Sequence, residues 1–137
     1  MIFSKTTEYA IRILTYMQVN EKTYYSAKTI HEELDLPYKY VTKLMTSLSK
    51  EKLIKSQMGR MGGFYLAKSP KKIFLKDIIK ATHDFKKLHS CVLGHSKCSD
   101  KDPCSMHHQW VPIKEEIVNL VQTLTLEELG KMDISKL

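Results

Sequence analysis

The amino-acid sequence predicts a mainly α-helical fold with one small β-hairpin: a winged helix-turn-helix domain followed by a long C-terminal dimerisation helix. Two short helical patterns meet at a turn over residues 35–37, and a glycine-rich segment between two β-compatible stretches follows directly. Towards the C-terminus, apolar residues recur with heptad spacing. A helix-turn-helix followed by a hairpin is the arrangement of a winged helix, which sets the expected fold class.

The first helix is predicted over residues 5–19. Ser4 suits the N-cap position, because a serine side chain can accept from the backbone N–H groups of the first turn. Glu8 lies near the helix start, where a carboxylate interacts favourably with the helix dipole. Four apolar residues at positions i, i+3, i+4 and i+7 predict one buried stripe: Ala10, Ile13, Leu14 and Met17.

The second and third helices form the predicted helix-turn-helix. Ser26 caps the second helix, and Pro37 opens the third, because proline is tolerated at the first helical position. The buried stripe of the third helix consists of Val41, Leu44, Met45 and Leu48. The opposite face is basic and rich in hydrogen-bonding groups: Tyr38, Lys39, Thr42, Lys43, Thr46 and Lys50. Since the second helix of this motif enters the major groove, the candidate DNA contacts are Tyr38, Lys39, Thr42 and Lys43.

The hairpin after the third helix is the predicted wing. Its strands lie near residues 53–57 and 64–67, and glycines at the tip permit the positive φ that a tight turn needs. Arg60 at this tip is a candidate contact to the narrow minor groove or to a phosphate. The glycines do not precede a helix bearing Lys and Ser or Thr, so a nucleotide-binding loop is rejected.

Composition and charge narrow the class of partner. The 137 residues carry a net charge of +7, which favours a polyanion such as double-stranded DNA. No apolar run approaches the ~20 residues of a membrane span and no signal core is evident, so a cytoplasmic protein without membrane contact is expected. Three cysteines, an odd number, fit a reducing compartment. No paired acid–base constellation or cofactor loop indicates an enzyme.

The C-terminal part of the chain supplies a candidate dimerisation surface. A short helix is predicted at residues 76–82, and a longer one at residues 106–123 follows the cysteine-rich segment. Apolar residues spaced by three and four positions form a heptad seam along the longer helix and just beyond its end: Trp110, Ile113, Ile117, Leu120 and Leu124. Because the preceding domain is already complete, the seam favours pairing with a second copy. Thr125 and Glu128 form a capping-box pattern that predicts a short final helix. The chain is therefore expected to divide into three parts. These are a winged helix-turn-helix domain at 1–83, a cysteine loop at 84–104, and the dimerisation helix with the short final helix at 105–137.

The segment 84–104 contains every cysteine of the chain. Cys91, Cys98 and Cys104 are separated by six and five residues and stand among Ser, Lys, Asp and His, a poor setting for core packing. Thiolates favour iron–sulfur clusters, zinc and copper(I). Zinc ligands usually come in pairs two to four residues apart, so a cluster is favoured, while zinc and a redox-active thiol stay as alternatives. The fourth ligand would be His107 or Glu8.

Four features occur together along this chain. They are the N-terminal Ser-Lys-Thr-Thr-Glu-Tyr-Ala-Ile-Arg, the hairpin Gly-Arg-Met-Gly-Gly-Phe-Tyr-Leu, the three cysteines and the long helix. In these features the chain resembles the Rrf-type winged-helix regulators over nearly its whole length. The resemblance implies a homodimeric bacterial transcription regulator. Since the two recognition helices of a dimer would enter successive major grooves, we expect a roughly palindromic operator. The resemblance also implies an iron–sulfur cluster, either 2Fe–2S or 4Fe–4S, near the dimer interface, which modulates DNA affinity.

The resemblance also assigns ligand positions. Cys91, Cys98 and Cys104 match the cluster cysteines, and His107 stands where cluster-assembly regulators place a histidine ligand. Glu8 stands where nitric-oxide sensors use a carboxylate from the other subunit. The six-residue first gap departs from other members, and both candidate fourth ligands are present, so cluster type and signal stay open. A regulator without a cluster, controlled by thiol oxidation, zinc, or a protein or small-molecule partner, is the alternative.

Overall fold

A computed structural model describes residues 3–19, 24–60 and 62–131. The observed elements confirm the predicted fold class, with helices that begin and end within one residue of the predicted bounds wherever both were given. In chain order they are α1 (Lys5–Val19), α2 (Ala27–Leu34), α3 (Tyr38–Lys50), β1 (Ile54–Gln57), β2 (Gly63–Leu66), α4 (Leu75–Ala81), α5 (His107–Thr123) and α6 (Leu126–Gly130). Short 3-10 helices lie at Pro70–Lys72 and Phe85–His89.

Side-chain caps begin the first two helices. The backbone N–H of Thr7 donates to Ser4 Oγ over 3.4 Å, and that of Thr29 donates to Ser26 Oγ over 3.0 Å. Each bond satisfies a donor that a helix N-terminus would otherwise leave free. Pro37 differs slightly from its expected place, because it is the N-cap of α3 rather than its first helical residue.

The core lies where α1, α3 and α4 meet under the helix-turn-helix. The predicted apolar stripes of α1 and α3 are all buried, and α4 adds Ile78 and Ile79. Tight burial of aliphatic side chains is the main source of stability in a domain of this size. It also fixes the opposite face of α3 towards solvent, because a helix with one apolar stripe exposes the other side.

The wing is a two-stranded antiparallel hairpin. Ile54 pairs with Leu66 and Gln57 with Gly63. Tyr25 extends the sheet through an isolated bridge to Phe64, with mutual backbone hydrogen bonds of 2.8 Å. The segment before α2 therefore anchors the wing to the helical domain.

The C-terminal elements return to the first domain. Leu75 N–H donates to Leu124 O over 2.9 Å, and Leu126 N–H donates to Ile73 O over 2.8 Å. Gln18 Nε2 of α1 donates to Leu126 O over 2.6 Å, and Leu126 is fully buried. The chain after α5 thus packs on α1 and the start of α4, which fixes the C-terminal end of α5 on the domain. Across the described ranges, no helix is long and apolar enough to cross a bilayer.

Candidate nucleic-acid interface and cysteine site

The exposed face of α3 is basic. Lys39, Lys43, Thr46 and Lys50 are all exposed, and their spacing of four, three and four residues places them along one line of the helix. Lys39 and Lys43 were predicted as DNA contacts, and the structure places both on this line. Thr46 and Lys50 complete it, so the line runs the whole length of α3.

Two further predicted contacts flank this line. Thr42 Oγ donates to Lys39 O over 2.9 Å, and Thr46 Oγ donates to Thr42 O over 3.0 Å. Because these bonds use the hydroxyl protons, each threonine presents to a ligand its methyl group and its remaining acceptor capacity. Tyr38 is 50% exposed at the start of α3, and its ring packs edge-on against His31 with 5.7 Å between centroids.

The tip of the wing is exposed as predicted. Arg60 and Met58 both face solvent, and Met58 is 93% exposed. Gly62 N–H donates to Gly59 O over 3.1 Å, which closes the turn, and Gly59 has a φ of 114° that favours glycine. Arg60 is thus presented on a thin, closed loop, the shape needed to enter a groove.

Two of the three thiols of the cysteine loop, those of Cys91 and Cys104, form a pair. Cys91 is buried, unlike the polar setting that its neighbours in sequence suggested, and Cys104 is half-buried. The two thiols lie close enough for each to shift the pKa of the other. Burial would raise the pKa of Cys91, but the hydrogen bond from Leu93 N–H and the neighbouring Cys104 thiol outweigh it and lower that pKa. The pKa of Cys104 is raised by the neighbouring Cys91 thiol and by burial.

Cys98 and His107 form a second pair. His107, at the start of α5, is buried, and its Nδ1 lies 3.5 Å from Cys98 Sγ. The opposite ring atom, Nε2, lies 2.7 Å from Asp100 Oδ1. The hydrogen bond to His107 and its charge lower the pKa of Asp100. A carboxylate behind an imidazole fixes the orientation and tautomer of the ring, as it does for histidines that bind metals.

The cysteine loop fits a cluster in its donor chemistry, and the structure arranges these donors as two pairs. Within residues 3–19, 24–60 and 62–131, no group of three or more His, Cys, Asp or Glu side chains is gathered closely enough to hold a single ion. Glu8 Oε2 instead accepts from Lys5 Nζ over 3.1 Å on the same turn of α1. No described hydrogen bond or ion pair joins Glu8 to the cysteine loop of its own chain.

The predicted dimerisation seam divides into two lines. Ile117 and Leu124 are half-buried against the chain's own core, whereas Ile113 and Leu120 are 51% and 53% exposed. Trp110 is half-buried, and its indole N–H is buried with no acceptor among the described residues. The exposed line of Ile113 and Leu120 is therefore the part of the seam that is open to a second molecule.

Asp84 has a structural role that was not predicted from the sequence. Its side chain is buried, and Oδ2 accepts from Ser4 N–H over 2.8 Å, Ser4 Oγ over 2.5 Å and Thr7 Oγ over 2.6 Å. Oδ1 is paired with Lys87 Nζ over 2.8 Å. Asp84 therefore ties the start of α1 to the segment that enters the cysteine loop. Its partners Ser4 and Thr7 lie about eighty residues away in sequence, so no local pattern could show this role.

A helix-turn-helix with a basic exposed face and a wing tipped by arginine define a winged-helix transcription regulator rather than an enzyme. The comparison with protein families agrees with this class. The family described as "Rrf2: Iron-dependent Transcriptional regulator" matches residues 3–132. The chain belongs to the Rrf2 family, whose regulators bind DNA, and the predicted resemblance is confirmed.

Individual relatives are transcription regulators too. A protein of Aquifex aeolicus named as an HTH-type transcriptional regulator is 36% identical over 131 residues, covering 94% of this chain and 91% of its own. The regulator IscR of Xenorhabdus nematophila is 29% identical, covering 74% of this chain and 62% of its own. NsrR of Shouchella clausii is 33% identical, covering 66% and 62%. The chain thus spans less than two thirds of these IscR and NsrR relatives.

Solved structures share the fold. CymR, the global cysteine regulator of B. subtilis, superposes with a TM-score of 0.78 at 23% identity, covering 96% of this chain and 98% of its own. IscR of T. potens superposes with a TM-score of 0.72 at 26% identity, covering 94% and 85%. Both similarities extend over nearly the whole chain, so the long helix and its return to the domain are part of the shared architecture.

Proposed function

We propose that this chain is a cytoplasmic, homodimeric repressor whose affinity for DNA is set by an iron–sulfur cluster. Cys91, Cys98 and Cys104 would hold the cluster, with His107 or Glu8 of a second copy as the fourth ligand. One observation carries the proposal: the loop supplies three thiols and a buried imidazole at the start of α5. The relatives named IscR and NsrR and the family description add support.

Several side chains prepare the loop for this role. Asp100 orients His107, which leaves Nδ1 directed at Cys98. The hydrogen bonds that lower the pKa of Cys91 favour its thiolate, the form that binds metals. An iron–sulfur cluster bound here would supply reactivity towards redox change or nitric oxide. Both candidate fourth ligands, His107 and Glu8, are present, so the cluster can be of the 2Fe–2S or the 4Fe–4S type. Visible spectroscopy distinguishes the two.

DNA binding would use the α3 face and the wing of two copies. In a two-fold dimer the two α3 helices enter successive major grooves about 34 Å apart on a roughly palindromic operator. Tyr38, Lys39, Thr42 and Lys43 would contact bases and phosphates, and Arg60 the minor groove. Because lysines displace counterions from phosphates, binding should weaken steeply as salt is added. The exposed line of α5 would join the copies.

The cluster prediction is tested by purification without oxygen, followed by visible spectroscopy and iron and sulfide assays. We expect coloured protein with acid-labile sulfide. Cys98→Ala should lose the cluster and any change in DNA affinity that follows cluster loss, while its helical circular dichroism is retained. Ser96→Ala in the same loop is the matched control. A Cys98→Ala protein that still responds to cluster-modifying reagents would contradict the proposed ligand set.

A cluster-free thiol regulator is the second candidate. The proximity of Cys91 and Cys104 favours it, because thiols close enough to shift each other's pKa are candidates for oxidation to a disulfide. It predicts colourless protein after anaerobic reconstitution with iron and sulfide. It also predicts a mobility shift after mild oxidation that Cys91→Ala and Cys104→Ala both abolish. Bound zinc in place of iron would indicate a structural metal site instead.

A further inference from the structure

A recess beside α3 combines several groups that can bind an anion. It has a volume of about 280 Å³ and lies between the start of α1, one flank of α3 and the end of α4. Its lining residues are Thr6, Tyr40, Lys43, Leu44, Ser47, Ala81, Thr82 and His83. None of these described lining residues is acidic, whereas five carry a hydroxyl or an imidazole and one carries an ammonium group.

The hydroxyls of the recess retain a proton to donate. Thr6 Oγ and the Tyr40 hydroxyl are hydrogen-bonded to each other. Such a pair uses one of its two O–H groups, so the other can donate to a ligand. Lys43 forms no ion pair with any described residue and also belongs to the exposed basic line of α3. The recess therefore continues directly from the proposed DNA face.

His83 reaches this recess through an unusual backbone conformation. Its φ is 65°, in the left-handed region that non-glycine residues seldom adopt. The neighbours on either side are buried and bonded to α1: Thr82 through the Thr7 hydroxyl at 2.5 Å, and Asp84 through Ser4 and Thr7. With both neighbours turned inwards, His83 is left exposed at the rim of the recess.

From this arrangement we propose that the recess binds one phosphate of the DNA backbone, next to the groove that α3 enters. Thr6, Ser47 and His83 are the additional contacts, and Lys43 serves both surfaces. This proposal rests on the proposed DNA binding. A recess lined by hydroxyls, an imidazole and a lysine, on the flank of a basic helix, suits a phosphodiester. A contact of this kind positions the protein on the duplex and carries no sequence information.

Two variants test the assignment without loss of the fold. Ser47→Ala places a better helix former within α3, and His83→Gly relieves the left-handed backbone while removing the imidazole. Binding is measured by fluorescence anisotropy with two 30-base-pair duplexes of different sequence, at several salt concentrations. We expect each variant to bind both duplexes about tenfold more weakly, by the same factor on each, since a hydrogen bond to a charged group is lost.

Gln122→Ala, on the exposed side of α5, is the control and should bind like the wild type. If the wild type binds both duplexes and the two variants match it within twofold, the phosphate assignment is wrong while the proposed DNA binding stands. If the wild type binds no duplex, the proposed function fails and this assignment with it. If the variants lose binding of inorganic phosphate yet hold both duplexes normally, the recess takes a free anion, which overturns the DNA assignment.

Discussion

Asp84 illustrates how a single side chain can stabilise the whole domain. Its buried carboxylate accepts three hydrogen bonds from Ser4 and Thr7 and pairs with Lys87. We expect Asp84→Asn to lower the free energy of unfolding by about 2–3 kcal/mol, because one oxygen becomes an amide donor that faces another donor. Urea denaturation at pH 7 measures the change. Asp35→Asn is the control, since Asp35 is exposed and its left-handed φ of 51° suits asparagine.

The same residue makes stability depend on pH. Burial would raise the pKa of Asp84, but the hydrogen bonds from Lys87, Ser4 and Thr7 outweigh it and lower that pKa. Its contribution is therefore complete above about pH 5, where the unfolded carboxyl is ionised, and is lost progressively as the pH falls below that value. The stability gap between the wild type and Asp84→Asn should narrow between pH 7 and pH 3. An equal gap at both values would show that the native pKa is not lowered.

At the scale of the element, the wing depends on the glycine that begins β2. Gly63 has a φ of 152°, and a Cβ at this position would lie 2.8 Å from Tyr25 O, in the strand bridge that anchors the hairpin. At Gly59, with a φ of 114°, a Cβ would meet no atom within 4 Å. Backbone strain should therefore lower the free energy of unfolding of both alanine variants by roughly 1–3 kcal/mol. Gly63→Ala should cost at least about 1 kcal/mol more, because the neighbouring backbone must also move.

The pair of glycine variants is compared by urea denaturation and by DNA binding. Gly59→Ala should retain the hairpin, whereas Gly63→Ala should loosen the bridge between Tyr25 and Phe64. Equal losses of stability in the two variants would show that the close approach of Gly63 to Tyr25 is not a constraint in solution.

Elements with local signals were predicted well from the sequence, and elements without them were missed. Ser4 and Ser26 cap their helices as expected, because a cap is formed by residues within one turn. The 3-10 helix Phe85–His89 and the left-handed His83 had no such signal, since long-range bonds from Thr82 and Asp84 to α1 hold that segment. Thiol and imidazole chemistry indicated the cysteine site, but its division into two pairs depends on how the loop folds.

At the scale of the whole molecule, hydrogen bonds connect the segment that enters the cysteine loop to the helix of the proposed DNA face. Asp84 binds Ser4 and Thr7 at the start of α1, and the neighbouring Thr6 is bonded to Tyr40 of α3. Tyr9 of α1 also packs edge-on against Tyr40, with 5.4 Å between ring centroids. The segment entering the loop and the recognition helix thus contact the same end of α1. A change in the loop would need a coupling of only about 1–3 kcal/mol through this contact to alter DNA affinity.

The molecule also exposes an apolar line on α5 that suits a two-fold interface. Replacing both Ile113 and Leu120 with glutamate should convert a dimer to a monomer, because four half-exposed aliphatic side chains per dimer would become like charges. Burying each is worth about 1 kcal/mol, so the dimer should weaken at least roughly a thousandfold. Sedimentation velocity over a range of concentrations measures this change, with Gln122→Glu as a control that adds one negative charge on the other side of α5. The monomer should keep its helical circular dichroism, since both side chains already face solvent. It should bind a single half-site, with only the weak affinity of one copy. A double variant that stays dimeric would show that the copies pair through another surface.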